Sequence, residues 1–227
     1  MNIDFHTHIL PGLDHGCDNV YDSIEYLSIA KKMGVDIVIS TSHFYPHQHR
    51  VNDFLAARDR AYRGLRNKIN RSNLPKIILG AEVLLCNNLH KMDKLDKLCI
   101  KGTNTLLVEM PFGKWDEDIY YTLCKLIKDK RFHIVMAHID RYEISDVKKI
   151  IEMGVDVQIN ADYIHRYKKR KIVKMCMDAG IIVAIGSDIH RDKNKLDDYK
   201  RVLNNLNDID DIMKKASNLI GGKVCTK

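Results

Sequence analysis

The chain opens on an H-x-H pair, His6 and His8, directly after the β-branched run Ile3 to Phe5. Near its other end the run Ile181 to Ile185 leads into a D-x-H pair, Asp188 and His190. Alternate residues of an extended segment point to the same side, so each pair can aim both side chains at one point. Further ligand-type residues close short apolar runs in the same manner. His43 follows Asp36 to Ser40, Glu82 follows Lys76 to Leu79, Glu109 follows Thr105 to Val108, and His138 follows Phe132 to Met136.

A carboxylate that ends a run such as KIILGAE or LLVE is expected in a buried setting, where a cation must offset its desolvation. Imidazoles mixed with carboxylates favour zinc, manganese or iron over calcium and over all-thiolate sites. So many ligands exceed the needs of one ion. A carboxylate such as Glu82 can bridge two, and paired ions both clamp an in-line displacement at phosphorus and generate hydroxide near neutral pH. Hydrolysis of a phosphate ester is the chemistry these residues point to. His90, His133 and His165 stand outside this pattern and read as ordinary core or surface histidines.

A cysteine route to the same reaction is absent. Cys17, Cys86, Cys99, Cys124, Cys176 and Cys225 form no C-x-x-C pair, and the residues six places on from the first five are Ser23, Met92, Thr105, Lys130 and Ile182, never the arginine of a C-x5-R phosphate cradle. Reduced thiols are expected.

The elements that must position the ligands alternate regularly. Seven candidate strands, completed by Val155 to Ile159, are separated by amphipathic stretches. These are Val20 to Met33, Asn52 to Ile69, Asp116 to Lys128, Ser145 to Met153, Arg170 to Ala179 and Leu196 to Ala216, with Leu89 to Leu98 the weak link. The face from Phe54 to Leu65 is expected to pack inward against the barrel, with another subunit as the alternative. Gly34, Gly154 and Gly180 each stand between a helical stretch and a strand, as left-handed helix ends do. A β-α unit repeated about seven times implies a parallel sheet covered by helices. The expected architecture is a distorted (β/α)7 barrel with its site at the strands' C-terminal ends. An open doubly wound sheet is the alternative.

With 227 residues and 45% hydrophobic content, a single domain over residues 1–227 is the expectation. No long apolar run suggests a membrane span, and the N-terminal MNIDFHTH is unlike a signal peptide, so a cytoplasmic protein is expected. A net charge of +7 favours anionic partners only weakly.

The segments HTHILPGLDHG, TSHFYPH, GAEVLL, LLVEMPF, MAHIDRY, VQINADYI and AIGSDIH occur in this order between Asn2 and about His190. Together they resemble the PHP (polymerase and histidinol phosphatase) superfamily, and within it the manganese-dependent protein tyrosine phosphatases of bacterial capsule and exopolysaccharide loci. H-x-H is common to the superfamily, whereas LPG-x-D-x-G, LLVE-x-PF, AH-x-x-RY and QINA mark this branch.

The resemblance implies a distorted (β/α)7 barrel holding three Mn2+ ions, with Fe or Zn as alternatives. By position, His6, His8, Glu82 and Asp188 hold the first ion, and Glu82, Glu109 and His138 the second. His43, His190 and one residue of the loop after the first strand hold the third. The branch usually carries D-D-G in that loop, and this chain carries Asp14-His15-Gly16. His15 therefore occupies the ligand place, with Asp14 to orient it or stand in for it.

Two further departures concern phosphate. HIDRY replaces H-P-E-R-Y, which retains Arg141 and an acid at Asp140, and Arg191 directly follows His190 where the branch places an arginine several residues downstream. Arg141 is the expected phosphate clamp, because a guanidinium offers paired donors in fixed geometry, and Arg191 is the expected second one. His47, His49 and Arg50 are candidates for the cleft wall. The implied reaction is attack by metal-activated hydroxide on phosphotyrosine, opposite the phenolate, without a cysteine nucleophile. The implied substrate is a bacterial tyrosine kinase with a tyrosine-rich tail. No stable nucleic-acid partner is expected, and oligomerisation is left open.

Two alternatives stand beside this reading. One is a phosphoesterase of the same superfamily acting on histidinol phosphate or nucleic acid. The other is a non-catalytic polyanion-binding protein using Lys168, Lys169, Arg170 and Lys171 with the tail lysines Lys214, Lys215, Lys223 and Lys227.

Overall fold

A computed structural model describes residues 1–69, 74–192 and 194–221. Every strand pairing in it is parallel. The strands are β1 (Asn2–Thr7), β2 (Val35–Ser40), β3 (His43–Phe44), β4 (Lys76–Leu79), β5 (Glu82–Leu84), β6 (Thr105–Glu109), β7 (His133–Met136), β8 (Asp156–Asn160) and β9 (Ile182–Gly186). They form a three-stranded sheet, β1-β2-β4, and a six-stranded sheet, β3-β5-β6-β7-β8-β9.

The seven expected strands are all present, and the second and third are each followed by a further short strand, β3 and β5, that the apolar runs did not include. β2 and β3 are separated at Thr41 and Ser42, and β4 and β5 at Gly80 and Ala81. Hydrogen bonds from Gly80 N to the Ser40 carbonyl (2.8 Å) and from Glu82 N to the Thr41 carbonyl (3.1 Å) carry the pairing across these breaks. On the opposite side β1 meets the segment after β9 through a parallel bridge between Thr7 and Ile189. There Asp188 N donates to the His6 carbonyl (2.8 Å) and His8 N to the Ile189 carbonyl (3.0 Å).

Strand composition explains the burial. Val, Ile and Leu fill both faces, and β6 and β9 are buried at every position, as strands covered on both sides must be. The covering helices are α1 (Val20–Lys32), α2 (Val51–Arg66), α3 (Glu117–Lys128), α4 (Ile144–Met153), α5 (Tyr167–Asp178), α6 (Asn194–Asn205) and α7 (Ile209–Leu219). α3 buries Ile119, Thr122, Leu123 and Leu126, one helical stripe, and its first turn is capped by the Asp116 carboxylate accepting from Ile119 N at 2.9 Å. α2 buries Phe54 and Leu65, so that face packs inward as expected. Gly34, Gly154 and Gly180 all have positive φ. Among the described residues no helix is long and apolar enough to cross a membrane.

Two helical expectations differ from the structure. Leu196 to Ala216 is two helices, α6 and α7, and at the end of α6 the Asn205 side-chain amide donates to the Arg201 carbonyl at 2.7 Å, a local bond of the kind that competes with helix backbone. Leu89 to Leu98 is two short 3₁₀ turns, Leu89–Lys91 and Leu95–Leu98, each entered from a left-handed residue, Asn88 or Lys94.

Candidate metal centre

Glu82 opens β5 and stands at the middle of a ring of imidazoles. Its Oε2 lies 3.2 Å from His6 Nε2, 3.3 Å from His8 Nε2 and 3.0 Å from His43 Nδ1, while Oε1 lies 2.7 Å from His138 Nε2. Glu109, at the end of β6, brings Oε1 to 3.4 Å from His138 Nε2 and Oε2 to 3.9 Å from His43 Nδ1. Asp188 Oδ1 is 3.7 Å from His6 Nε2 and 3.5 Å from both His8 Nε2 and His190 Nδ1. His190 Nε2 reaches to 3.4 Å from His43 Nε2.

The strands thus deliver side chains far apart in sequence to one pocket. His6, His8, His43, Glu82, Glu109, His138 and Asp188 are all buried. His190 is half-buried and His15 is exposed. The His15 ring stacks at the mouth, 4.4 Å from His190 and 4.7 Å from His43.

Among the described residues three sets of donor atoms are close enough to share an ion: His6, His8 and Asp188; His43, Glu82 and Glu109; and His8, His43 and His190. Ligand atoms bound to one ion at about 2.1 Å in tetrahedral geometry stand roughly 3.4 Å apart, which is the spacing seen here. Glu82 Oε2 and His43 Nδ1 are buried and have no hydrogen-bond partner despite their proximity. Orphaned buried polar atoms are costly, and a shared cation would satisfy both. The donor set therefore fits metal.

The electrostatics agree. Burial opposes a charged His8, yet the carboxylates of Asp14 and Glu82 outweigh it and hold its pKa up to about 10. Burial likewise opposes a charged His138, and Glu109 with Glu82 holds it up to about 9. Burial works against ionised Glu82 and Asp188, but the surrounding imidazoles, with Arg141 beside Asp188, keep both well below the usual carboxylate range. Positive charge is thus favoured on His8 and His138, whereas burial, with His8 beside it, pushes His190 down to about 3.

Outer partners choose which nitrogen faces inward. His8 Nδ1 lies 2.8 Å from Asp14 Oδ2, and His6 Nδ1 lies 3.0 Å from Gln158 Oε1. Each acceptor takes the Nδ1 hydrogen and leaves Nε2 for the cluster. Asp14 also accepts from His43 N (3.1 Å) and Gly16 N (2.9 Å), so it orients His8 and the loop and not His15. Gln158 Oε1 also accepts from His138 N at 2.8 Å, and Asn160 Nδ2 donates to Asp188 Oδ2 at 2.9 Å. Two candidate ligands sit in left-handed backbone, His138 at φ 34 and Asp188 at φ 47, conformations that cost energy and cluster at functional sites.

Two glycines permit the close approach. A Cβ on Gly16 would lie 2.1 Å from the His8 carbonyl oxygen, and one on Gly186 would lie 2.5 Å from His6 Cβ.

Arg141 follows His138 on a 3₁₀ turn, pairs with Asp188 and remains partly open to solvent. Arg191 is mostly exposed and pairs with Asp18 at the surface. Asp140 is buried, accepts from Asn160 N at 2.8 Å and faces Lys169 Nζ at 3.0 Å. Lys195, which sequence reasoning missed, donates to the Asp188 carbonyl at 2.8 Å. His49 Nδ1 accepts from Tyr45 N, and the Tyr45 ring stacks on His43, so this loop forms the rim. Arg50 immediately precedes α2 without a side-chain capping bond, and His47 contacts Gln48.

His133 and His165 are occupied with Asp156 and Asp198, and His90 rests against Tyr121. In the basic run, Lys168 and Lys169 are engaged by Glu143 and by Asp140 with Asp162, which leaves less free charge for a polyanion. Lys215 pairs with Asp211. Lys223, Lys227 and Cys225 lie outside the described residues.

Parallel strands bringing imidazoles and carboxylates to one pocket define an α/β protein with a candidate metal centre. The family model described as capsular polysaccharide synthesis, CpsB/CapC, matches residues 2–215. The chain belongs to this family. It is 27% identical over 208 residues to the tyrosine-protein phosphatase YwqE of Bacillus subtilis (strain 168), covering 85% of this chain and 79% of the relative. It is also 27% identical over 210 residues to the tyrosine-protein phosphatase CpsB of Streptococcus agalactiae serotype V, covering 83% and 82%. A solved structure described as belonging to YwqE from Bacillus subtilis and CpsB from Streptococcus pneumoniae, unique metal-dependent tyrosine phosphatases, superposes with a TM-score of 0.76 at 21% identity, covering 96% of this chain and 94% of that one. That likeness establishes the fold.

Proposed function

We propose that this chain is a metal-dependent protein tyrosine phosphatase of capsular polysaccharide synthesis, acting on phosphotyrosine of a bacterial tyrosine kinase in the cytoplasm. The observation that carries the reading is the Glu82 carboxylate, buried among four imidazoles with one oxygen unpartnered, beside the guanidinium of Arg141. Family membership and the named activity of the relatives support it.

We read the two sheets as one distorted (β/α)7 barrel and residues 1–227 as one domain, with the Thr7–Ile189 bridge as the seam. His6, His8, Glu82 and Asp188 would hold a first Mn2+, Glu82, Glu109 and His138 a second, and His43, His190 and His15 a third, with Fe or Zn as alternatives. His43 turns Nδ1 to Glu82 and Nε2 to His190, so it stands between the second and third positions. When bound, the ions supply Lewis acidity and activate water near neutral pH.

The chain's own residues supply the rest. Arg141, anchored on Asp188, presents donors to phosphoryl oxygens and offsets the charge spread over them in the transition state. Lys195 adds a second positive charge on the same side. Arg191 serves as a further clamp after leaving Asp18. Asp14 and Gln158 hold His8 and His6 in the tautomer the cluster needs. Phenolate, with a pKa near 10, leaves without strong acid assistance.

Turnover of a phosphotyrosine peptide, histidinol phosphate and an oligonucleotide by the Mn2+-loaded protein tests this reading. The peptide is expected to be preferred. Preference for either of the other two would transfer the site to a different phosphoesterase.

A further inference from the structure

A cavity of about 560 Å³ opens from one end of the cluster. It shares Glu109 and His138 with the candidate ligands and has Arg141 at its edge. Phosphate chemistry does not call for the apolar part of its remaining wall, Met110, Pro111, Phe112, Trp115 and Tyr142, which shares the cavity with a charged side that includes Asp146 and Lys149.

Two of these rings are fixed. Trp115 and Tyr142 meet edge to face with centroids 5.0 Å apart. Trp115 Nε1 donates to the Pro111 carbonyl at 3.0 Å, and Met110 N donates to Tyr142 Oη at 3.0 Å. Phe112 is not packed at all. It is 91% exposed, more than any other large apolar side chain among the described residues, and it stands three positions after the ligand Glu109. A large ring left in water beside a rigid aromatic pair and an anion-binding group offers apolar surface at one end and positive charge at the other.

We propose that this cavity is the subsite for the aryl ring of the phosphate monoester, and that Phe112 is the wall that stacks on it. Preference for aryl over alkyl phosphates then resides in residues 110–115. The proposal rests on the phosphatase reading above and names the part of the substrate that the metal ligands cannot select. The occupant has the right form, because a phosphorylated phenol carries its anion and its ring at opposite ends. Aromatic pairs favour offset or edge-to-face contacts with centroids about 4.5–7 Å apart, which a ring lying among Phe112, Trp115 and Tyr142 would make. The volume exceeds that of one phenyl ring, which leaves room for the adjoining peptide.

Non-hydrolysable phosphonates test this on the Mn2+-loaded full chain. Trp115 is the sole tryptophan, so its fluorescence reports occupancy of the cavity directly. Phenylphosphonate is expected to bind about tenfold tighter than methylphosphonate and to shift the Trp115 emission, whereas methylphosphonate binds without shifting it. Phe112→Ala should reduce the phenyl preference about 3- to 10-fold, and Phe112→Tyr should retain it. Phe112 is exposed, so neither change threatens folding. An unchanged preference in Phe112→Ala, or equal weakening of both phosphonates, overturns the subsite while leaving the phosphatase reading intact. If phosphotyrosine peptide is not hydrolysed and neither phosphonate binds, the phosphatase reading fails and the subsite with it.

Discussion

Asp14 Oδ2 lies 2.8 Å from His8 Nδ1 and thereby fixes which nitrogen of that ring faces Glu82. The same carboxylate accepts from the backbone of His43 and of Gly16, so one largely buried loop acid secures two candidate ligands and the turn that brings His15 to the mouth. Asp14→Ala is expected to weaken metal binding about 10- to 100-fold, the usual cost of losing such an outer partner. Titration of the demetallated variant with Mn2+ measures it, and an unchanged affinity would show that the contact orients nothing.

His15 differs because it is exposed and meets the other candidate ligands only by ring stacking. His15→Ala should lower the bound metal by one equivalent and leave the buried ions in place. Elemental analysis of the purified variant decides this; loss of all metal would place His15 deeper in the site than its exposure allows.

Gly186 sits where a Cβ would come within 2.5 Å of His6 Cβ and 2.9 Å of His6 N. Gly186→Ala should cost about 1–3 kcal/mol of stability through overpacking and should displace His6, abolishing turnover. Gly64, on α2, has nothing within 4 Å of its would-be Cβ, and Gly64→Ala should stabilise by about 0.4–1 kcal/mol. Denaturant melts of the two variants should move in opposite directions.

Thiol chemistry should be irrelevant to turnover. Burial pushes Cys17 up to about 11 and both Cys99 and Cys176 up to about 12, and it also raises Cys86. A raised thiol pKa means less thiolate at any lower pH, so these groups are almost wholly protonated at pH 8 and react slowly. Iodoacetamide on the native protein should leave activity intact, with Cys17, Cys99 and Cys176 labelled only after unfolding. Inactivation in step with labelling of any of them would contradict this.

The sequence made the strand ends that converge on one pocket legible because His, Glu and Asp are conspicuous after apolar runs. It concealed the outer partners. Gln158 and Asn160 occupy alternate positions of β8 in the run VQIN, the same i, i+2 spacing as His6 and His8, and two polar residues inside a buried strand were the available signal. Lys195 lies in the first turn of α6, and nothing in its residue type or spacing distinguishes it from other lysines. β3 and β5, two and three residues long, are too short to show a period. The gap between α6 and α7 follows Asn205, whose side-chain amide donates to the Arg201 carbonyl, a contact that no hydrophobic pattern records.

The central claim is that Glu82 and the imidazoles around it work only when they hold metal. The most direct measurement follows phosphotyrosine-peptide hydrolysis and bound metal together, through exhaustive chelation and stepwise return of Mn2+. Activity should vanish with the metal and return in proportion to it. Full activity in protein shown by elemental analysis to be metal-free would contradict the account.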